Sequence, residues 1–244
     1  MYGRLWRNWH RLTLVVLIGI FAFGYADSGD ILISFPSPGP APQDLAWDGE
    51  YLWVIDDSTD SIYKLDPQNG GVVASLRAPG PQPRGLTWDG SHLWVSDDAL
   101  RKIYRIDPEQ GKTVKEIEAP VIPVKKGYSP LGGLAWDGKH LWSGFIAGWS
   151  SRMNMIDTAS GLVVESRSGY GIPTLLASDG KFLWGACDNG GLRSGIIYQY
   201  NLQDGTLINQ YNTIGDYPAG LASDGRNLWF VDKESGLIYC MAID

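Results

Sequence analysis

The sequence predicts an all-β fold assembled from repeats, and three observations lead to that prediction. The stretch PRGLTWDGSHLWVSDD at Pro83–Asp98 returns four more times with small changes. Short strand-like runs and turn residues follow each copy, and no helical period is evident beyond the N-terminal segment. The copies begin at Pro42, Pro83, Pro130, Pro173 and Pro218, at spacings of 41, 47, 43 and 45 residues. A period of this size is typical of a repeat architecture.

The second copy shows how one unit is built. Its first two runs, at 85–88 and 92–96, are separated by Asp-Gly, a strong hairpin signal because a tight primed turn needs positive φ at its centre. The run KIYRID at 102–107 is rich in β-branched and aromatic residues and predicts a third strand. After a Pro-Glu-Gln-Gly turn, the run at 113–119 alternates between apolar and polar residues and predicts a half-exposed fourth strand. Four strands per unit at this period indicate a β-propeller blade.

The two ends of the chain complement each other. The fifth copy ends after its third strand, LIYCMA at 237–242, whereas DILISF at 30–35 resembles the fourth strand of the first copy. We therefore expect the N-terminal strand to complete the last blade and to remove an open edge. The sequence thus predicts a five-bladed β-propeller with four antiparallel strands per blade, the last blade closed by the N-terminal strand, as a single domain over residues 27–244.

The first 26 residues have a different composition from the rest. Arg4, Arg7 and Arg11 precede the apolar run Leu12–Ala26, and a polar Asp27 follows, which is the pattern of a secretory signal peptide. An uncleaved membrane anchor is the alternative, but this run is short for a bilayer span. We expect cleavage, a periplasmic or secreted protein, and no membrane span after cleavage.

Charge and cysteine content restrict the partners. The full chain has a formal net charge of −7; without residues 1–26 it would keep 17 Lys+Arg against 27 Asp+Glu, a net charge of −10. An acidic domain with no basic run is a poor nucleic-acid binder, so no nucleic-acid partner is expected. As a separate expectation, the protein is a monomer. Export makes a disulfide between Cys187 and Cys240 possible. The sequence leaves that pairing open.

Two residue types recur at fixed positions and invite a structural interpretation. The tryptophan of each second strand is expected to pack between blades, because it supplies a large buried area. The aspartate of each Asp-Gly pair is expected to be a turn residue, although five carboxylates resemble a ring on paper. The tryptophans are Trp53, Trp94, Trp142, Trp184 and Trp229, and the aspartates are Asp48, Asp89, Asp137, Asp179 and Asp224.

The sequence contains few residues in the patterns that catalytic or metal-binding sites require. His92 and His140 occupy the same turn position in two repeats, where exposed turn histidines are expected, and nothing else has His/Cys metal-ligand spacing. No nucleophile elbow or phosphate loop is present. Carboxylates that recur at second-strand ends are the candidate acids or bases if the protein is an enzyme, but their recurrence favours a structural role, capping of the following turn. They are Asp56, Asp57, Asp97, Asp98, Asp188 and Asp232. We therefore assign no catalytic residue, no metal and no cofactor.

The repeat G-L-A/T-W-D-G-x-x-L-W-V-x-D, followed by I-Y-x-I-D-P-x-x-G, resembles the NHL, YVTN and glutamine-cyclotransferase-like propellers over residues 30–244. The resemblance implies a propeller fold, and among these families the glutamine cyclotransferases are five-bladed enzymes. Their active-site motif F-G-E-G-I-T corresponds to Gln82–Thr87, where Arg84 replaces the glutamate. Their second motif, E-G-W-G-L-T, falls on Pro130–Ala135, again without a glutamate. The related virginiamycin B lyases need a catalytic histidine, and neither His92 nor His140 is expected on the corresponding loop face.

The variation among the repeats falls on one face of the predicted propeller. Asp-Gly and Pro-x-x-Gly turns lie on the regular face, whereas the second-to-third turns and the blade-to-blade connections vary in length. Because function concentrates on loops held by a rigid scaffold, we expect the ligand site on the irregular face. The candidate residues are Trp149, Tyr128, Tyr170, Tyr217, Arg84, Lys125, Lys126, Arg193 and Asp188. Alternatively, these side chains only cover the central channel.

Two functions follow from this interpretation. The first is an exported binding module that holds a small molecule, peptide, glycan or protein on the irregular face. Clustered aromatic residues and cations in an acidic chain favour a carboxylate-bearing or sugar ligand. The second, which the family resemblance implies, is a glutamine-cyclotransferase-like or lactonase-like enzyme that uses the same face.

Overall fold

A computed structural model of the protein describes residues 26–120, 129–147, 150–168, 174–186, 195–215 and 217–243. Twenty strands form five four-stranded antiparallel sheets, which are the five blades of a propeller. The described residues contain no helix long and apolar enough to cross a membrane. The prediction of a five-bladed, all-β propeller is confirmed.

The strands follow the chain in order, and each of the first four blades is a meander. Blade one contains β2 (Pro42–Trp47), β3 (Leu52–Asp56), β4 (Ser61–Leu65) and β5 (Val72–Arg77). Blade two contains β6 (Pro83–Trp88), β7 (Leu93–Asp97), β8 (Lys102–Ile106) and β9 (Thr113–Glu118). Blade three contains β10 (Leu134–Trp136), β11 (Leu141–Ala147), β12 (Ser150–Ile156) and β13 (Val163–Ser168). Blade four contains β14 (Leu175–Ser178), β15 (Phe182–Ala186), β16 (Ile196–Asn201) and β17 (Leu207–Asn212).

Blade five joins the two ends of the described chain. It contains β18 (Pro218–Ser223), β19 (Asn227–Asp232), β20 (Leu237–Ala242) and, as its outer strand, β1 (Ile31–Pro36). β1 pairs antiparallel with β20, from Ile31 opposite Met241 to Pro36 opposite Leu237. The predicted closure of the last blade by the N-terminal strand is therefore confirmed, because β1 supplies the strand that the fifth repeat lacks.

The first strands of the blades surround the central axis, and the fourth strands form the rim. β2, β6, β10, β14 and β18 each contact the first strands of the neighbouring blades. Burial follows this order: β2 is buried over most of its length, whereas β5 is almost entirely exposed. The loop face, defined by the second-to-third turns and the blade-to-blade connections, lies at the start of the first strands. The turn face, defined by the Asp-Gly turns, lies at their ends.

The recurring tryptophans pack between blades, as predicted. Trp53 of blade one lies in a cluster with Leu86, Val95 and Tyr104 of blade two. Each of the five tryptophans is buried, with exposures between 0% and 4%. Burial of this much aromatic surface stabilises the packing of each blade against the next.

Each Asp-Gly aspartate holds its own turn and its own tryptophan. In blade two, Asp89 Oδ1 accepts the backbone N–H of Ser91 and of His92, and Asp89 Oδ2 accepts the Trp94 indole N–H at 2.8 Å. The aspartate–indole bond recurs in all five blades at 2.7–3.2 Å. The glycine that follows has positive φ, +94° at Gly90, as the turn requires. The turn prediction is confirmed, and the bond explains why the two motifs recur at a fixed separation of five residues.

The carboxylates at second-strand ends tie each blade to the connection that precedes it. Asp56 accepts backbone N–H groups from Ala41, Ser58 and Thr59. Asp97 accepts the backbone N–H groups of Gln82 and Leu100 in the same way. These side chains are buried and satisfied by local backbone donors. The structural role expected from their recurrence is therefore confirmed for Asp56 and Asp97; Asp188 lies outside the described residues.

Candidate functional site

A cavity opens on the loop face where the five first strands converge on the axis. Its volume is about 170 Å³, and its lining includes the residue two positions before the innermost leucine of every blade. We call these five residues the rim ring: Gln43, Arg84, Gly132, Thr174 and Ala219. The innermost leucines, called the axial leucines, are Leu45, Leu86, Leu134, Leu176 and Leu221. Strand geometry therefore directs one residue of each blade to a common space.

The rim ring is asymmetric in side-chain size and polarity. Blades three and five contribute the small residues Gly132 and Ala219, while blades one, two and four contribute longer or polar side chains. A Cβ atom at Gly132 would lie within 2.4 Å of the carbonyl oxygens of Thr174 and Gly144, so backbone fills the place of a side chain there and no other residue fits without a backbone shift. The cavity of this fivefold propeller is therefore one-sided, with small rim residues in blades three and five and hydrogen-bonding side chains in blades one, two and four.

Arg84 and Gln43 form the polar side of the rim ring. Arg84 Nη1 donates to Gln43 Oε1 at 3.1 Å, and Gln43 in turn donates to the carbonyl oxygen of Ala41. Arg84 Nε is shielded from solvent and has no hydrogen-bond partner in the part of the chain that the structure describes. Among the described residues, Arg84 forms no ion pair, so a neutral amide is the one group that orients its guanidinium.

Lys233 supplies a second cation to the cavity lining. It follows β19 at the position that Asp57 and Asp98 hold after β3 and β7. The backbone contact is the same in all three blades, since Lys233 N donates to the Tyr217 carbonyl at 2.9 Å as Asp57 N does to Ala41 and Asp98 N to Gln82. Blade five therefore keeps the turn and reverses the charge of the side chain that follows it.

A carboxylate lies on the axis among the axial leucines. Asp44 is fully buried, and its two oxygens accept four backbone N–H groups from four different residues. Oδ1 accepts Leu45 at 2.9 Å and Leu221 at 3.2 Å, whereas Oδ2 accepts Leu86 at 2.8 Å and Leu134 at 3.2 Å. One side chain of blade one is thereby bonded to blades two, three and five.

Glycines of other blades make room for this carboxylate. The residues equivalent to Asp44 are Gly85, Gly133, Leu175 and Gly220. A Cβ atom at Gly220 would lie 2.4 Å from Asp44 Cα, and one at Gly133 would lie 3.1 Å from Asp44 Oδ2. Complete burial raises the pKa of the Asp44 carboxyl well above its usual range, and the four backbone donors act against that rise. Since both oxygens accept two N–H groups each, the geometry fits the carboxylate form.

Sequence reasoning did not identify Asp44. The signal was available, because an acidic residue stands where three of the other four copies have glycine. Two properties obscured it. Asp44 belongs to no recurring acidic position, and three of its four partners are backbone groups 42 to 177 residues away, which no side-chain pattern reveals.

The structure places two of the nine candidate site residues. Arg84 lines the cavity. Tyr217 lies two positions before the lining residue Ala219; its backbone N–H donates to Asp232, and its carbonyl oxygen accepts the backbone N–H of Lys233. The other seven lie outside the described residues: Trp149, Tyr128, Tyr170, Lys125, Lys126, Arg193 and Asp188. Gln43, Thr174 and Lys233 were not singled out from the sequence.

The turn face carries a much smaller cavity. Its volume is about 30 Å³, and its lining includes Trp47, Trp88 and Trp136 together with Ser178 and Ser223. The histidines also lie at this end, where His92 Nδ1 contacts Ser91 Oγ and His140 Nδ1 lies 3.2 Å from Asp137 Oδ2. Both are turn residues, as expected from their positions. The larger cavity and its two cations therefore belong to the loop face.

Neither thiol chemistry nor a preformed metal cluster is indicated where the structure describes the chain. Cys240 is buried, and burial together with the charge of Asp224 raises the pKa of its thiol to about 12, which disfavours the reactive thiolate. Cys187, its possible partner, lies outside the described residues, so the pairing stays open. Among the described residues, no group of three or more His, Cys, Asp or Glu side chains is arranged to hold a metal ion.

Solved structures resemble this chain in fold at low sequence identity. The glutaminyl cyclase of Myxococcus xanthus superposes with a TM-score of 0.67 at 11% identity, over 88% of this chain and 97% of that one. The propeller domain of Cps50 (Swd1) from Myceliophteria thermophila gives a TM-score of 0.52 at 13% identity, over 87% and 100%. A chain of the mitotic checkpoint complex gives 0.54 at 13% identity, over 96% and 99%. No family model matches the sequence, and no curated protein matches it.

Proposed function

We propose that the chain is an exported ligand-binding propeller that takes a small ligand in the axial cavity of its loop face. The observation that carries the proposal is the asymmetric rim ring around a cavity, which combines small residues at Gly132 and Ala219 with polar groups at Gln43, Arg84 and Thr174. A concave site with a few convergent polar groups is the usual form of a small-molecule site. At about 170 Å³ the cavity is below the roughly 300–1,000 Å³ of drug-sized pockets, so a small molecule or the end of a longer ligand fits it.

The loops around the cavity supply the rest of the recognition surface in this proposal. The sequence places Trp149, Tyr128 and Tyr170 on the same face, together with cations that include Lys125 and Arg193. Aromatic side chains give a large contact area at low conformational-entropy cost. The N-terminal segment 1–26, with the composition of a signal peptide, accounts for the proposed export.

A steric block tests the proposed site. A screen of peptides, glycans and small acids, measured by thermal shift and tryptophan fluorescence, would first identify ligands of the wild type. Ala219→Leu fills the cavity from blade five and is expected to abolish binding of those ligands. Ala74→Leu, the same substitution on the exposed outer strand β5, is the matched control and should bind normally. Circular dichroism shows that both variants fold, and equal binding by both would place the site elsewhere.

Trp149→Ala tests the contribution of the loops. As a recognition residue, Trp149 would be needed for ligand binding, while unfolding stability would change by less than about 1 kcal/mol. A large loss of stability with unchanged ligand affinity would instead mean that the side chain only covers the channel.

Glutaminyl cyclisation is the second candidate. The fold similarity to a glutaminyl cyclase and an acidic group on the axis below the cavity both favour it. However, Asp44 accepts four hydrogen bonds from backbone N–H groups, whereas a general base needs an oxygen within hydrogen-bonding distance of its substrate. Formation of pyroglutamate from a glutaminyl peptide, lost in Arg84→Ala, would establish the enzyme; absence of turnover in the presence of saturable binding favours the binding module.

A further inference from the structure

The charge of the axial cavity differs from that of the chain around it. The chain is acidic, with a formal net charge of −7, but the described residues that line the cavity include two cations, Arg84 and Lys233, and no Asp or Glu. Asp44, the buried acid in the ring below, accepts four backbone N–H groups and forms no hydrogen bond with Arg84. The described lining therefore carries basic side chains and no acidic one.

Arg84 is incompletely satisfied by the protein. A guanidinium has five N–H donors, and the described residues give it one acceptor, Gln43 Oε1, at 3.1 Å. Its Nε donor is shielded from water and unpartnered, which is unfavourable for a buried polar atom. Gln43 holds the guanidinium at the cavity wall without neutralising it. This arrangement leaves the acceptor requirement of Arg84 to a molecule that enters the cavity.

We propose that the axial cavity binds a carboxylate group of its ligand and that Arg84 is the residue that recognises it; the inference rests on the proposed function. A planar carboxylate matches the fork of a guanidinium, and the charge-assisted bonds so formed are about twice as strong as neutral ones. Lys233 adds a second positive charge on the blade-five side of the cavity, and Thr174 adds a hydroxyl group on the blade-four side. Contact with Arg84 Nε requires a side-chain rotation, a common adjustment on binding.

Comparison with the equivalent residues of the other four blades shows why Arg84 determines the ligand class. The equivalent rim-ring positions hold glutamine, glycine, threonine and alanine, none of which carries a charge. Arg84 is therefore the single charged member of the rim ring. Substitution of this one side chain removes the charge of the rim ring and leaves Gly132 and Ala219 unchanged.

Matched pairs of ligands test the carboxylate class. N-acetylglycine and N-acetylglycinamide differ only in carboxylate against amide, and acetyl-triglycine with its amide presents the same difference at the end of a peptide. Calorimetric titration of the wild type is expected to show saturable binding of at least one acid and binding of its amide at least roughly tenfold weaker, which corresponds to about 1.4 kcal/mol. The acid that binds more tightly identifies whether a free small acid or a peptide terminus is the better ligand.

Variants then assign the effect to Arg84. Arg84→Gln is expected to remove the preference for acid over amide, and Arg84→Lys to restore part of it because the charge returns without the fork. Lys139→Gln, at an exposed turn on the opposite face, is the control for general charge and should leave the preference unchanged.

Three results would overturn the inference. They are absence of saturable binding of either acid to the wild type, equal affinity for acid and amide, and an unchanged acid preference in Arg84→Gln. If the acids fail while other screened ligands still bind and are blocked by Ala219→Leu, the carboxylate assignment is wrong and the binding function stands. If no ligand of any class binds, the proposed function itself is wrong.

Discussion

The aspartates of the five Asp-Gly turns, called the turn-face aspartates, and the axial Asp44 have the same side chain in two different structural roles. Each turn-face aspartate bonds to its own turn and to a tryptophan five residues later, so its partners lie within one blade. Asp44 bonds to four blades, with partners up to 177 residues away. The first kind recurs in every repeat because every blade has the same local need. The second kind occurs once because a single axis has room for one such side chain.

This difference separates the stability of a blade from the stability of the ring. In a repeat protein, local contacts add up blade by blade, whereas contacts on the axis exist only when all blades are in place. Loss of a turn-face aspartate should therefore weaken one blade. Loss of Asp44 should affect the assembly of the whole propeller, and the three predictions below test this contrast.

The largest effect is expected for Asp44→Ala. This change leaves four buried N–H groups without their acceptor, and an unsatisfied buried donor costs about 1–3 kcal/mol. We expect a loss of more than about 4 kcal/mol in the free energy of unfolding, measured by urea denaturation. Asp44→Asn keeps one acceptor oxygen and places an NH₂ group against two donors, so its loss should be intermediate. Loss below about 1 kcal/mol in Asp44→Ala would show that the axial bonds do not hold the ring.

Trp94→Ala is expected to have the next largest effect. Trp94 is 3% exposed and packs between blades two and three, so removal of the indole leaves a cavity and takes one hydrogen bond from Asp89, which keeps its bonds to Ser91, His92 and Arg105. Truncation of a large buried aromatic typically costs about 3–5 kcal/mol in unfolding free energy. Trp94→Phe keeps most of the packing and loses the indole N–H, so it should cost about 1 kcal/mol for the hydrogen bond. Chemical denaturation of both variants separates packing from the aspartate bond.

The contrast between the two kinds of aspartate also explains which features were predictable from sequence. Blade number, strand order and the closing strand β1 follow from a repeated pattern, and so do the roles of Trp94 and Asp89. These features depend on neighbours within one repeat or the next, and their chemistry is therefore repeated in the sequence.

The axial site was predictable only in part. Arg84 was identified because a family resemblance drew attention to its position, and the loop face was identified from irregular spacing. Gln43 and Asp44 form hydrogen bonds with residues of other blades, and Lys233 lines the cavity from blade five. The geometry that brings these residues together appears only when the ring closes. Departures from a repeat, such as an aspartate where other copies have glycine, are the sequence signal for such residues.

The smallest expected effect concerns the pH dependence of one turn-face aspartate. Burial opposes ionisation of Asp89, but the hydrogen bonds from Arg105, His92 N–H and Trp94 outweigh it and lower the pKa of its carboxyl to about 2. Arg105 Nε lies 2.6 Å from Asp89 Oδ2, and Arg105 Nη2 donates to Ser91. An unfolded aspartate has a pKa of about 3.9. The folded state therefore gains stability from this group above about pH 4, and the gain is lost as the pH falls from about 4 through 2.

Asp89→Asn should remove this contribution, which the shift converts to at most about 2.5 kcal/mol at neutral pH. The difference in unfolding free energy between wild type and Asp89→Asn should be largest at pH 6–7 and shrink on acidification toward about pH 2. Arg105→Gln should raise the pKa of Asp89 in an NMR titration, because it removes the cation that hydrogen-bonds to the Asp89 carboxylate and favours its charged form. Asp224→Asn is the matched control: Asp224 accepts from Arg226 N–H, Asn227 N–H and Trp229, with no arginine side chain among its bonds. If the difference in unfolding free energy between wild type and Asp89→Asn does not change with pH, the hydrogen bonds of Asp89 stabilise the fold independently of its ionisation. The turn-face aspartates would then resemble Asp44 more closely than the structure indicates.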